Sequence, residues 1–211
     1  MNAYKTVKKE SKTEFIINRS RFIGRCFPIE TEDQAAAILA DVRKLHYDAS
    51  HNCFAYAVGR NGAASKFSDD GEPGGTAGLP IMEVLRHKGI TNVLCVVTRY
   101  FGGVLLGAGG LARAYSRSAA DAVEAAGIVQ VKPGSEFELL IDYDQYSRLE
   151  VFLRERTNII GCDFSDKIII RIILPVEKES DFIAEVRERS SGRVKAAKIC
   201  ERYMTDNDKC G

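Results

Sequence analysis

The sequence has no tryptophan and only three histidines, His46, His51 and His87, among 211 residues. None of the three forms H-x-x-x-H or H-E-x-x-H, which excludes a metalloprotease of that type on spacing. No C-x-x-C pair is present either: Cys26, Cys53, Cys95, Cys162, Cys200 and Cys210 are scattered, without zinc spacing, and several stand in strand-like runs. They read as reduced, mostly buried thiols of a cytoplasmic protein. No apolar run approaches the ~18 residues of a membrane span, and the polar N-terminus has no signal-type hydrophobic stretch, so neither secretion nor membrane insertion is expected. G-x-S-x-G is absent, which removes the usual hydrolase elbow. A cysteine nucleophile such as Cys53, two residues from His51, stays open beside the plainer reading of a buried thiol.

Strong charge of one sign is also missing. The net charge of +1 conceals a gradient: residues 1–133 carry 17 Lys and Arg against 13 Asp and Glu, and residues 134–211 carry 13 against 16. The basic surplus concentrates in the first 25 residues, an edge that suits either a phosphate backbone or a strand protected by lysines.

What the sequence has is glycine in two clusters. Asn92–Tyr115 reads NVLCVVTRYFGGVLLGAGGLARAY. Its apolar, β-branched start predicts a doubly buried strand that ends on Thr98, Arg99 and Tyr100. Gly102, Gly103, Gly107, Gly109 and Gly110 permit positive φ or close backbone approach, and a helix is expected from about Leu111. Leu111, Tyr115, Ala119, Ala122 and Ala126 form its apolar face, with Arg113 and Arg117 on another. The glycines either let strand and helix pack closely or cradle an anion at the helix N-terminus. No phosphate motif is complete, since Ala108 and Gly109 stand where a P-loop needs Lys and Ser or Thr.

The second cluster, Ser65–Gly78, holds Asp69, Asp70 and Glu72 among glycines. These carboxylates suit turn chemistry and the following helix N-terminus, or else Mg²⁺ or a basic partner. Around the clusters the pattern predicts a hairpin (Glu14–Ile17, Arg21–Ile29), a helix capped by Thr31 with Gln34, a strand Cys53–Val58, a tight turn at Asn61-Gly62, a helix entered by Pro80 and stopped by Gly89, and a strand Ile128–Val131. Lys132-Pro133-Gly134-Ser135 marks a domain boundary, and the order βαββαβ beyond it is that of a ferredoxin-like domain.

Asp69-Asp70-Gly71-Glu72-Pro73-Gly74-Gly75-Thr76-Ala77-Gly78-Leu79-Pro80, with Thr98–Gly103 and Leu106–Tyr115, resembles the signature of the IMPACT family, and the layout is similar to its bacterial two-domain members of the YigZ/YvyE type. The resemblance implies an α+β protein. Its N-terminal domain (residues 1–132) would be an α/β sandwich like the second domain of small-subunit ribosomal protein five, a fold shared with domain four of elongation factor G and the GHMP kinases. Its C-terminal domain (residues 136–205) would be ferredoxin-like βαββαβ, like the fifth domain of elongation factor G. It also implies a translation theme without a reaction. The expected function is a cytoplasmic binding or regulatory protein that contacts RNA, the ribosome or a translation factor. The alternative is an enzyme or binder of a small phosphorylated metabolite or nucleotide, with Mg²⁺. The expected ligand-binding residues are Arg99, Tyr100, Gly102, Gly103, Gly107, Gly109, Gly110, Arg113, Arg117, Asp69, Asp70, Glu72 and His51. No catalytic residue, resident metal or cofactor is assigned.

Overall fold

The computed structural model describes residues 2–59 and 62–205; Asn61, expected in a turn with Gly62, lies outside them. The chain is α+β and divides into two compact units at Val129/Gln130, within one long strand.

In the N-terminal unit, β1 (Tyr4–Val7) leads into the hairpin β2 (Ser11–Ile17) and β3 (Ser20–Pro28). Asn18 (φ 46°) and Arg19 (φ 64°) both take left-handed backbone, as a two-residue hairpin turn that follows the strand twist requires. Helix α1 (Glu32–Leu45) starts where the Thr31 hydroxyl accepts the Gln34 N–H at 3.2 Å and the Gln34 side chain accepts the Glu30 N–H. There follow β4 (His51–Val58), β5 (Ala64–Ser68), α2 (Gly78–Lys88), β6 (Val93–Tyr100) and α3 (Gly107–Ala126).

The sheet is antiparallel in the order β2-β3-β6-β4-β5. Alternation sorts its residues. Val93, Cys95 and Val97 face α2 and α3, while Leu94 and Val96 face α1. Leu111, Tyr115, Ala119, Ala122 and Ala126 are buried against the sheet as their spacing predicts. Gly24 lets α3 come close, because a Cβ there would lie 2.8 Å from the Ser118 hydroxyl and 3.1 Å from its carbonyl carbon.

Three expectations need correction. Ser65–Ser68, expected as the start of a loop that runs to Gly78, belongs to the strand Ala64–Ser68, held by pairing with β4. Helix α3 begins at Gly107 and not at Leu111, so Gly107, Gly109 and Gly110 form its first turn. Lys132–Ser135, expected to separate two strands, is part of the continuous strand β7 (Ile128–Ile141), with Pro133 opposite Tyr203 and Gly134 opposite Arg202. Glycine fits there because a Cβ would sit 2.7 Å from the Met204 sulfur.

The C-terminal unit continues with α4 (Tyr143–Arg156), β8 (Asn158–Phe164), β9 (Ile168–Pro175), α5 (Glu179–Arg189) and β10 (Lys195–Thr205). Its strands lie in the order β10-β7-β9-β8, all antiparallel, which is ferredoxin-like topology. Leu149, Leu153, Phe182 and Val186 of the helices bury the Phe137, Leu139 and Ile141 side of the sheet.

Candidate functional site

Cross-strand register builds the site. Arg99, near the end of β6, stands opposite Phe22 on β3 and His51 on β4, so all three share the face toward α2 and α3. The Arg99 side chain is 5% exposed. Its Nη1 donates to Glu72 Oε1 at 2.7 Å, its Nη2 donates to Ser20 Oγ at 3.3 Å, and the guanidinium lies 5.5 Å from the Phe22 ring centre and 5.3 Å from that of Phe101. The same Glu72 oxygen accepts the Tyr115 hydroxyl at 2.7 Å. The two glycine-rich segments therefore meet at one end of the sheet, across a buried ion pair.

His51 Nδ1 donates to the Asp70 carbonyl at 2.8 Å, which leaves Nε2 3.8 Å from Glu72. Burial, and then the neighbouring Cys53, pushes the Tyr115 hydroxyl far above its ordinary value. Burial likewise pushes the Cys53 thiol up to about 12, and its S–H is directed at the Asp69 carbonyl 2.9 Å away. Cys53 is therefore held protonated, the wrong state for a nucleophile.

Each acid of the second cluster points to a different internal partner. Asp69 accepts the N–H groups of Gly75, Ala77 and Gly78 at 2.8–3.0 Å and so caps α2, whose Ala77 cap has no side-chain bond of its own. Asp70, in left-handed backbone, bonds Arg43 at 2.9 Å and the Asn52 N–H at 2.7 Å. Among the described residues no three His, Cys, Asp or Glu are gathered to hold a metal ion.

Burial alone would raise the Asp69 carboxyl, but the backbone bonds from Gly75, Gly78 and Ala77 outweigh it and hold it below its ordinary value. A folded value below the unfolded one stabilises the protein above the unfolded value, about pH 4, and that contribution is lost as pH falls through the folded value. Asp69→Asn is therefore expected to cost about 1–2 kcal/mol at pH 7. In urea melts the gap from wild type should narrow toward about pH 3, and a gap of the same size at both pH values would reject the capping role.

The other expected residues separate. Tyr100 is on the opposite sheet face from Arg99, where its hydroxyl accepts from His46 Nδ1 at 2.9 Å and donates to Asp48 at 3.1 Å, and its ring lies under Arg21. Arg117 stacks on Phe15 at 4.4 Å and faces Asp121 at 3.5 Å. Arg113 is exposed and, among the described residues, has no ion-pair or hydrogen-bond partner. Gly102 donates its N–H to Ser20 Oγ at 3.2 Å and abuts the hairpin turn at Arg19, another exposed arginine with no ion-pair or hydrogen-bond partner among the described residues. Gly103 (φ 82°) and Gly107 (φ 68°) turn the chain into α3, whose first turn has neither a side-chain cap nor an acid. Phe101 and Leu105 beside it are exposed.

Sequence reasoning missed Ser20, Phe22, Arg43 and Asn52 as partners of the cluster, and read Tyr115 as core alone. A tyrosine among small apolar residues on a buried helix face is a usable signal, because its hydroxyl needs a partner.

Residues 18–123 match the family model described as the Impact N-terminal domain, and residues 139–193 match a domain of unknown function (DUF1949). The chain is 35% identical over 194 residues to the IMPACT family member YvyE of Bacillus subtilis (strain 168), covering 92% of this chain and 89% of that protein. It is 35% identical over 188 residues to the IMPACT family member YigZ of Escherichia coli (strain K12), covering 88% and 92%. A crystal structure of a hypothetical protein superposes with a TM-score of 0.61 at 32% identity, covering 96% of this chain and all of that one.

Proposed function

The chain belongs to the IMPACT family, and from that we propose that it is a translation-associated binding protein of the cytoplasm that contacts RNA, free or within the ribosome, through the glycine-rich end of its N-terminal sheet. The observation that carries this reading is the contrast between the two charge sets. Asp69, Asp70 and Glu72 are each engaged by partners within the unit, whereas Arg113 stays exposed at the uncapped, acid-free start of α3 and Arg19 stays exposed at the hairpin turn against Gly102. The surface left over favours phosphate. Exposed Phe101 and Leu105 add an apolar platform of the kind on which an unpaired base rests. Arg99 has the scaffold role here, since its Nη1 and Nη2 are engaged by Glu72 and Ser20 inside the unit, and Arg117 contributes only at the margin.

Affinity for single-stranded RNA and for ribosomes should fall as salt rises. Arg19→Ala and Arg113→Ala should each reduce the slope of log affinity against log salt by about 0.7. Slopes and affinities equal to wild type in both variants would reject this placement. The metabolite-enzyme alternative draws no support from the acidic loop, whose carboxylates diverge.

A further inference from the structure

The face of the N-terminal sheet away from Arg99 has its own unusual cluster. Lys12 on β2 stands directly opposite Arg25 on β3, so two like charges share one face, an arrangement that repels. The Arg25 side chain is 15% exposed, and its ionic neighbour Glu10 is 3.9 Å away, beyond hydrogen-bond distance. Among the described residues its guanidinium makes no hydrogen bond, and Nε is buried without a partner. A cation withdrawn from water with its donors unmatched is costly, and an anion beside it would remove that cost.

Next to Arg25 lies a cavity of about 460 Å³ between β3 and the second half of α1. Phe27, Pro28, Ile38, Val42 and Leu45 wall it, and Asp41 at its edge faces Lys44 at 3.5 Å. The surplus of positive charge reaches His46, whose imidazole pKa is lowered first by burial and then by Arg25, Lys12 and Arg21.

We propose that this cavity binds a small aliphatic carboxylate, with its chain along Phe27, Ile38 and Leu45 and its head group on the Arg25 guanidinium beside Lys12. Glu10, whose side chain is 60% exposed, is the weakly held group that the ligand replaces. The volume is that of small-molecule sites, and five of the eight lining residues are apolar, with Arg25, Glu10 and Asp41 as the charged remainder. A carboxylate matches the planar fork of a guanidinium, and an ammonium or a neutral alcohol does not. This site uses none of the residues assigned to RNA, so either reading can fail without the other.

The probe is octanoate, with octanol and octylammonium as controls, titrated into the isotope-labelled full chain and followed by amide chemical shifts. Saturable shifts at residues 25–28 and 38–45 are expected with octanoate alone. Arg25→Met, which keeps the apolar stem, should weaken binding about ten- to a hundredfold. Lys12→Gln lies on the exposed edge strand and carries the same test should Arg25→Met unfold; it should weaken binding about two- to fivefold. Absence of saturable shifts at millimolar octanoate, equal binding of octanol, or wild-type affinity in whichever variant folds would each overturn the proposal.

Discussion

Arg99→Ala is expected to lower the unfolding free energy by about 3–5 kcal/mol, because it leaves the Glu72 carboxylate buried against a neutral tyrosine. The loss is large because the pair joins separate parts of the unit. Glu72 belongs to the loop before α2, Arg99 to the central strand, Tyr115 to α3, and Ser20 to the β2–β3 hairpin. Removing the guanidinium also uncovers one side of Phe22 and Phe101. The double substitution Arg99→Met with Glu72→Leu tests whether charge is the cause. Without either ion there is no desolvation to offset, so it should lose less than Arg99→Ala alone, though the Tyr115 hydroxyl then needs water. Urea melts of the two proteins decide the matter. A single-variant cost under about 1 kcal/mol would mean that water already reaches the pair.

The same pair shows where sequence reading succeeded and where it stopped. Local chemistry was legible: the Thr31 cap, the Asn18-Arg19 turn and the buried face of α3 each follow from residues within a few positions of one another. Residues of both glycine clusters stood among the expected ligand contacts, and the fold brings the clusters together across Glu72, Arg99 and Tyr115. What could not be read was which side chains would be used up inside, since Glu72 and Arg99 lie 27 residues apart and meet only through the register of β4 and β6. Alternation along β6 did contain one missed signal. It places Arg99 with Val97 and Cys95, and Tyr100 with Val96 and Leu94, so the two neighbours point to opposite faces of the sheet. Glycine misled twice, at the start of α3, where its low helix propensity hid a first turn with open space around Gly107, and at Gly134, where a side chain would not fit.

Gly102→Ala is expected to be the most damaging change among the glycines of the site, at about 3 kcal/mol or more. The added Cβ would fall within the backbone of Arg19 and 2.5 Å from the Ser20 nitrogen. Backbone cannot rotate aside as a side-chain tip does, so either the β2–β3 hairpin or the loop after β6 must move. Gly103 next to it is a different case. Nothing lies within 4 Å of a Cβ there, but its φ of 82° disfavours any L side chain, so Gly103→Ala should cost only about 1–2 kcal/mol. The contrast extends to binding. Displacing the hairpin tip carries Arg19 away from the glycine loop after β6, so Gly102→Ala should lose at least as much RNA affinity as Arg19→Ala, at a temperature where both remain folded. Hydrogen exchange at residues 18–20 reads the displacement directly and urea melts read its cost. If those amides stay as protected as in wild type and the melt is unchanged, the hairpin does not rest on the glycine loop, and Arg19 loses its place in the proposed surface.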